Sequence, residues 1–254
     1  AMADNWSFYG GPWCAKNLAD VAVGVVGNSP VIYGVNKDYS LVKSADEGQS
    51  WTTLLSGSHI RCVTCDPNNA NLVYIGLESV DGGIMRSTDG GTNWVQINSG
   101  LPGNFVPSAI AMRDAQHIVL GLEPQSASEY SIYYWESSNN RWFHATIIGN
   151  KTGFCVTDLK WDPRSGYERY IYTSSDKVAP GGNPNYIGVY MSTDYGHTWV
   201  QIGHPDPGQP SGYMERAEAL SVCSALNGFI FAGYRPEENT HTDGGVMRTT
   251  DGGV

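Results

Sequence analysis

Arg86-Ser87-Thr88-Asp89-Gly90-Gly91-Thr92-Asn93-Trp94 is the stretch that decides how this chain folds, because it comes back. Lys43-Ser44-Ala45-Asp46-Glu47-Gly48-Gln49-Ser50-Trp51 precedes it, and Met191-Ser192-Thr193-Asp194-Tyr195-Gly196-His197-Thr198-Trp199 follows it. Arg248-Thr249-Thr250-Asp251-Gly252-Gly253 repeats all but the final Trp. The shared pattern is S/T-x-D-x-G-x-x-W. Self-similarity of this kind marks an array of like supersecondary units. The residue types fit a tight turn: Asp accepts nearby backbone amides, and Gly adopts left-handed backbone without a Cβ clash.

Outward from Asp89, the flanking residues read as short strands. Arg61-Cys62-Val63-Thr64-Cys65-Asp66-Pro67 predicts a strand ended by Asp-Pro, and Asn68-Asn69-Ala70-Asn71 a turn. Leu72-Val73-Tyr74-Ile75-Gly76, Gly83-Ile84-Met85-Arg86-Ser87 and Trp94-Val95-Gln96-Ile97 predict three more strands. Four antiparallel strands in roughly 43 residues is the content of one propeller blade. The same order predicts blades over residues 18–55, 59–98, 105–147, 154–202 and 214–254. In the third the box has decayed to Glu136-Ser137-Ser138-Asn139-Asn140-Arg141. Asn5-Trp6-Ser7-Phe8 matches Asn93-Trp94-Val95-Gln96, so residues 5–9 are expected to complete the last blade. The expected fold is all-β: a single β-propeller domain over 1–254, with five four-stranded antiparallel blades closed by the N-terminal strand. An open piece of a larger ring is the rival arrangement.

Composition agrees with a sheet-rich globular chain. Of 254 residues, 16% are charged, against about 25% in an average soluble domain. Gly (31) and Tyr (15) are frequent, as turns and strands require. The net charge of −10 repels phosphate backbones and speaks against nucleic acid as a partner. No apolar run approaches the roughly 20 residues of a membrane-spanning helix. The five Cys are an odd number, so at least one is unpaired or pairs between chains. Cys62 and Cys65, three apart on a strand, face opposite sides and cannot bridge. Burial as small hydrophobes is expected. No zinc-binding Cys pattern is completed, and neither metal nor cofactor is expected. Ala1-Met2-Ala3 reads as a cloning remnant in place of a leader, and the expectation is a secreted or extracytoplasmic monomer.

The repeat resembles the Asp-box, or BNR repeat, of sialidases, xyloglucan-degrading glycosidases, sortilin-type receptors and photosystem II assembly factors. That resemblance implies that each box lies between the third and fourth strands of its blade, with Trp packing between blades. It implies structural roles for Asp46, Asp89, Asp194 and Asp251, with Asp89 and Asp194 buried acceptors. It does not carry a catalytic set across. A sialidase-like site needs three Arg and a Tyr–Glu pair, and only Arg61 and Arg216 stand near inner-strand starts. The xyloglucanase type takes one acid from each of two seven-bladed domains.

A ligand is expected on the face opposite the boxes, where residues 78–82, 123–130, 175–186, 204–213 and 235–244 make the long loops. Asp20, Asp158 and Glu215, or Glu218 in its place, are the carboxylates most suited to converge on the channel. As an acid and base pair they would serve glycoside hydrolysis; alternatively they only accept hydrogen bonds from neighbouring blades. Arg61, Arg216, Tyr186, Tyr213 and Phe105 are candidate ligand contacts, with Trp13 and Tyr130 as further aromatics. The expected function is a non-catalytic propeller that binds a carbohydrate or protein ligand; the alternative is a glycoside hydrolase, sialidase-like or xyloglucanase-like, using the channel carboxylates.

Overall fold

The three complete repeats fold into the same turn. In the computed structural model, which describes residues 18–203, 216–222, 230–235 and 245–249, Ser44, Ser87 and Ser192 each donate from Oγ to the Asp two residues on, at 2.8, 2.7 and 2.8 Å. Each serine oxygen also accepts the amide four residues on, from Gly48, Gly91 or Gly196. The Asp then accepts the amide of Ser50, Asn93 or Thr198. Two successive left-handed residues close the turn, Glu47-Gly48, Gly90-Gly91 and Tyr195-Gly196, with φ from 60° to 94°. The Trp indole donates back to the glycine carbonyl at 2.8–3.1 Å. Asp89 is exposed and Asp194 only half-buried, where both were expected to be buried. Their bonds come from their own turns at the solvent end of the sheet, so no overlying structure is needed. Those on Asp89, first from Asn93, hold its carboxyl down at about 2. Asp251 lies outside the described residues.

Each turn joins the third and fourth strands of an antiparallel sheet. The first sheet is β1 (Leu18–Val26), β2 (Ser29–Asn36), β3 (Leu41–Ser44) and β4 (Thr52–Leu55). The second is β5 (Ile60–Asp66), β6 (Asn69–Leu77), β7 (Ile84–Ser87) and β8 (Val95–Gln96). The third is β9 (Pro107–Met112), β10 (Ile118–Leu122), β11 (Ile132–Glu136) and β12 (Arg141–His144). A short β13 (Thr146–Ile147) follows, and then β14 (Phe154–Trp161), β15 (Ile171–Val178), β16 (Gly188–Ser192) and β17 (Thr198–Gly203). Among the described residues the last sheet holds β18 (Arg216–Val222), β19 (Ile230–Arg235) and β20 (Gly245–Thr249). The expected pairing of residues 5–9 with β20 falls outside the described residues.

One boundary differs from expectation. Thr146–Ile147 does not extend the third sheet but runs parallel to β17, Thr146 opposite Thr198 and Ile147 opposite Trp199, and so becomes the outer strand of the fourth. Its register is set by burial of Ile147 in the core that also takes Trp199.

The first strands lie side by side in the order β1, β5, β9, β14, β18. Core clusters fill the space between successive sheets. Cys65 packs with Tyr33 and Val73, while Cys62 packs with Tyr74 and Ile118, on the opposite face of the same strand. Cys62, Cys65 and Cys155 are free and buried, and burial pushes the Cys65 and Cys155 thiols up to about 12. In the third sheet, where the box has decayed, Trp142 is fully buried and its indole donates to the Ile97 carbonyl of the preceding sheet.

Candidate functional site

The first strands β1, β5, β9 and β14 line a cavity of about 480 Å³, with Asp20, Arg61, Ser108, Asp158 and Lys160 on its wall. Two of the three channel acids expected from sequence therefore share one space. Their bonding is alike. Asp20 accepts the amide of the next residue, Val21, at 2.8 Å and the amide of Val63 on β5 at 2.9 Å. Asp158 accepts from Leu159 at 2.9 Å and from Leu220 on β18 at 3.0 Å. At the seam between β5 and β9, Thr64 Oγ1 accepts the Met112 amide at 3.1 Å. A side chain on one first strand thus repeatedly captures an amide on the following one; each of these strands is the edge of its sheet, where alternate amides point away from the ladder and need another acceptor.

The surroundings of the two acids differ. Burial pushes the Asp20 carboxyl up to about 6, against the pull of the Val63 and Val21 amides; Asp158 raises it further and Lys160 lowers it. Asp158 is itself paired with Lys160 Nζ at 3.0 Å.

A second cleft of about 480 Å³ opens at the loop end of the channel, lined by Asn36, Tyr39, Arg61, Ser108, Glu123 and Lys177 among others. Its charges hold one another. Arg61 donates from Nε and Nη2 to Glu78 Oε1 at 3.0 and 2.6 Å, and Nη1 lies 3.9 Å from Glu123. Lys177 Nζ donates to the other Glu123 oxygen at 2.6 Å, which raises the lysine pKa. His59, Glu78 and Asp81 bring ligand atoms within 4.8 Å of one another, the geometry of a cation site. The Arg61 guanidinium on Glu78 already supplies the positive charge there, which disfavours a second cation.

Of the other sequence candidates, Phe105 is 5% exposed and belongs to the core between the second and third sheets. Its ring lies against Gly83, so it presents no face to a ligand. Tyr186 lies in the loop between β15 and β16, half-buried against the core around Tyr190, whose hydroxyl donates to its carbonyl, with Lys151 Nζ over its ring; it lines neither cavity. Tyr130 stacks on His144 at 3.8 Å on the loop end of the third sheet. Trp13, Tyr213 and Glu215 lie outside the described residues, and of Arg216 only the backbone place, at the start of β18, is described. The turn 36–40 was missed by sequence reasoning, which weighted long loops. A five-residue turn gives no length signal.

No family model matches the chain. Its sequence is similar to a xyloglucanase of Paenibacillus sp., 24% identical over 265 residues, covering 98% of this chain and 21% of that protein. It is also similar to the xyloglucanase Xgh74A of Acetivibrio thermocellus, 26% identical over 201 residues, covering 69% of this chain and 22% of that protein. The chain spans about a fifth to a quarter of the length of these curated relatives. Among solved structures it superposes on a GH74 xyloglucanase from Xanthomonas campestris with a TM-score of 0.67 at 17% identity, covering 95% of this chain and 38% of that one. It superposes on the Cps50 β-propeller domain of Myceliophthora thermophila with a TM-score of 0.57 at 10% identity, covering 93% and 74%. The chain is an all-β, propeller-like protein similar to part of the xyloglucanases, a likeness that favours the glycoside-hydrolase expectation over the non-catalytic one.

Proposed function

We propose that this chain is a propeller unit of a xyloglucanase-type glycoside hydrolase, and that its part is to hold a polysaccharide at the channel mouth. The observation that carries this reading is the mouth cleft, where Glu78, Arg61, Glu123 and Lys177 brace one another around an open space beside the exposed ring of Tyr39. Fixed donors and acceptors beside an aromatic face suit a hydroxyl-rich sugar. In the same reading the repeated turns are Asp-boxes, the ring has five blades closed by residues 5–9, and the protein works outside the cytoplasm, where polysaccharide is found. Calorimetric titration with xyloglucan oligosaccharides tests it. The parent should bind, and Arg61→Ala should weaken binding at least about tenfold, the loss of one charged anchor. No binding to any oligosaccharide of a broad glucan panel would refute it.

A second reading gives this chain its own hydrolytic step, with Asp20 as proton donor. The raised Asp20 pKa of about 6 favours it, since a carboxyl protonated near the working pH can serve as general acid. Asp20→Asn would then abolish release of reducing sugar while oligosaccharide binding persists.

A further inference from the structure

The short turn between β2 and β3 is built at an energetic disadvantage. It is tightly fixed: the Asn36 amide donates to the Ser40 carbonyl at 2.9 Å and the Tyr39 amide to the Asn36 carbonyl at 2.8 Å. Asp38 accepts both the amide and the hydroxyl of Ser40, at 3.0 and 2.6 Å. This bonding forces Tyr39 into left-handed backbone, φ 64°, where a bulky residue is strained and glycine would not be. The ring gains little in return from the fold. It is 42% exposed and meets His59 at 5.2 Å between centroids.

A second cost lies in the same turn. Asn36 is 1% exposed; its Nδ2 donates to Ser40 Oγ, but its Oδ1 receives no donor. Across the cleft, Ser108 Oγ is likewise buried and unpartnered. Asn36, Tyr39 and Ser108 all line the mouth cleft. Buried polar atoms are nearly always satisfied, and strained residues persist where they serve a site.

We propose that this turn is the sugar-recognition element of the cleft. Tyr39 offers its ring as the stacking surface for one pyranose with equatorial hydroxyls, whose C–H face is apolar. Asn36 Oδ1 and Ser108 Oγ take hydroxyl groups of the same sugar residue, supplying the bonds the fold omits. The proposal rests on the carbohydrate reading above and narrows it to a subsite.

Tyr39→Gly, Tyr39→Phe and Asn36→Ala, each titrated with a xyloglucan oligosaccharide and followed by thermal melting, test it. Glycine suits the left-handed position, so Tyr39→Gly should melt at or above the parent temperature and yet bind at least about tenfold more weakly. Tyr39→Phe keeps the ring face and should bind within about threefold of the parent. Asn36→Ala should lose affinity. A Tyr39→Gly protein that binds like the parent overturns the proposal, as does a Tyr39→Phe protein as weak as Tyr39→Gly. If the parent binds no glycan, the carbohydrate reading falls first and takes this one with it.

Discussion

Val156 on β14 lies against the α-carbon of Gly121 on β10: a Cβ added at residue 121 would meet Val156 Cγ1 at 2.3 Å and its Cβ at 2.6 Å. The second sheet repeats the arrangement, with Pro107 at 2.7 Å from a Cβ added at Gly76. Successive sheets approach this closely because the second strand carries no side chain where the next first strand crosses it. Gly121→Ala should therefore cost about 1–3 kcal/mol through overpacking. Val156→Ala in the same chain should recover part of that loss, a coupling read from a double-mutant cycle in urea. Additive losses would show that the clash is relieved elsewhere.

Asp20 makes stability depend on pH in an unusual direction. Its carboxyl titrates at about 6 in the fold against 3.8 unfolded, so the folded chain holds the proton more tightly between those values. Its contribution is fully present below pH 3.8 and is lost as pH rises through 6. The stability of the parent minus that of Asp20→Asn should fall over that window, by about 1–3 kcal/mol. Chemical denaturation of both proteins at half-unit pH steps measures the difference. A flat difference would mean that Asp20 is solvated like an ordinary surface acid.

Ser87 is 1% exposed and receives the Gly91 amide at 2.9 Å. Ser87→Ala should strand that amide and cost about 1–3 kcal/mol. Oligosaccharide affinity, taken at a temperature where the variant is folded, should match the parent because the turn lies at the opposite end of the sheet from the mouth. A selective loss of affinity at unchanged stability would move the binding site to the repeat face.

Asp158 joins β14 to β18 through the Leu220 amide. Asp158→Ala should lower stability by about 1–3 kcal/mol, and Asp158→Asn by less, since an amide oxygen still accepts. Melting curves of both variants check this order. Equal losses would show that the Lys160 ion pair, and not the bond to the next sheet, is what the carboxylate supplies.

The proposed closure is tested by deletion. If residues 5–9 complete the last sheet, removal of residues 1–9 should expose a strand edge and produce aggregation or a large fall in melting temperature. A truncated protein that melts like the parent would exclude this closure.

The repeat made the architecture legible, because each residue of S/T-x-D-x-G-x-x-W has one local job that needs no distant partner. Ser87, Asp89, Gly91 and Trp94 satisfy one another within a single turn. The opposite faces of Cys62 and Cys65 were legible from strand period alone. Asp20 and Asp158 were expected at the channel as the starts of inner strands; Asp20 does lie near the start of β1, but β14 begins at Phe154 and Asp158 lies in mid-strand, and their bonds to the next sheet could be stated only as an alternative. Phe105 was misread because an aromatic in a Gly-Asn-Phe-Val-Pro stretch gives no sign of which side it faces; the close approach at Gly83 decides that. Tyr39 was invisible because a left-handed tyrosine arises from the bonds around it and has no sequence signature.

The strap formed by Thr146–Ile147 limits how this array can be recombined. The third sheet's exit segment is also the fourth sheet's outermost strand, so the two are inherited as a pair. A crossover anywhere between 148 and 153 would deliver a fourth sheet with a bare rim and leave the third with a dangling tail. Gain or loss of a unit is therefore expected at the other seams, and a circular permutant opened between β13 and β14 should tolerate the cut least.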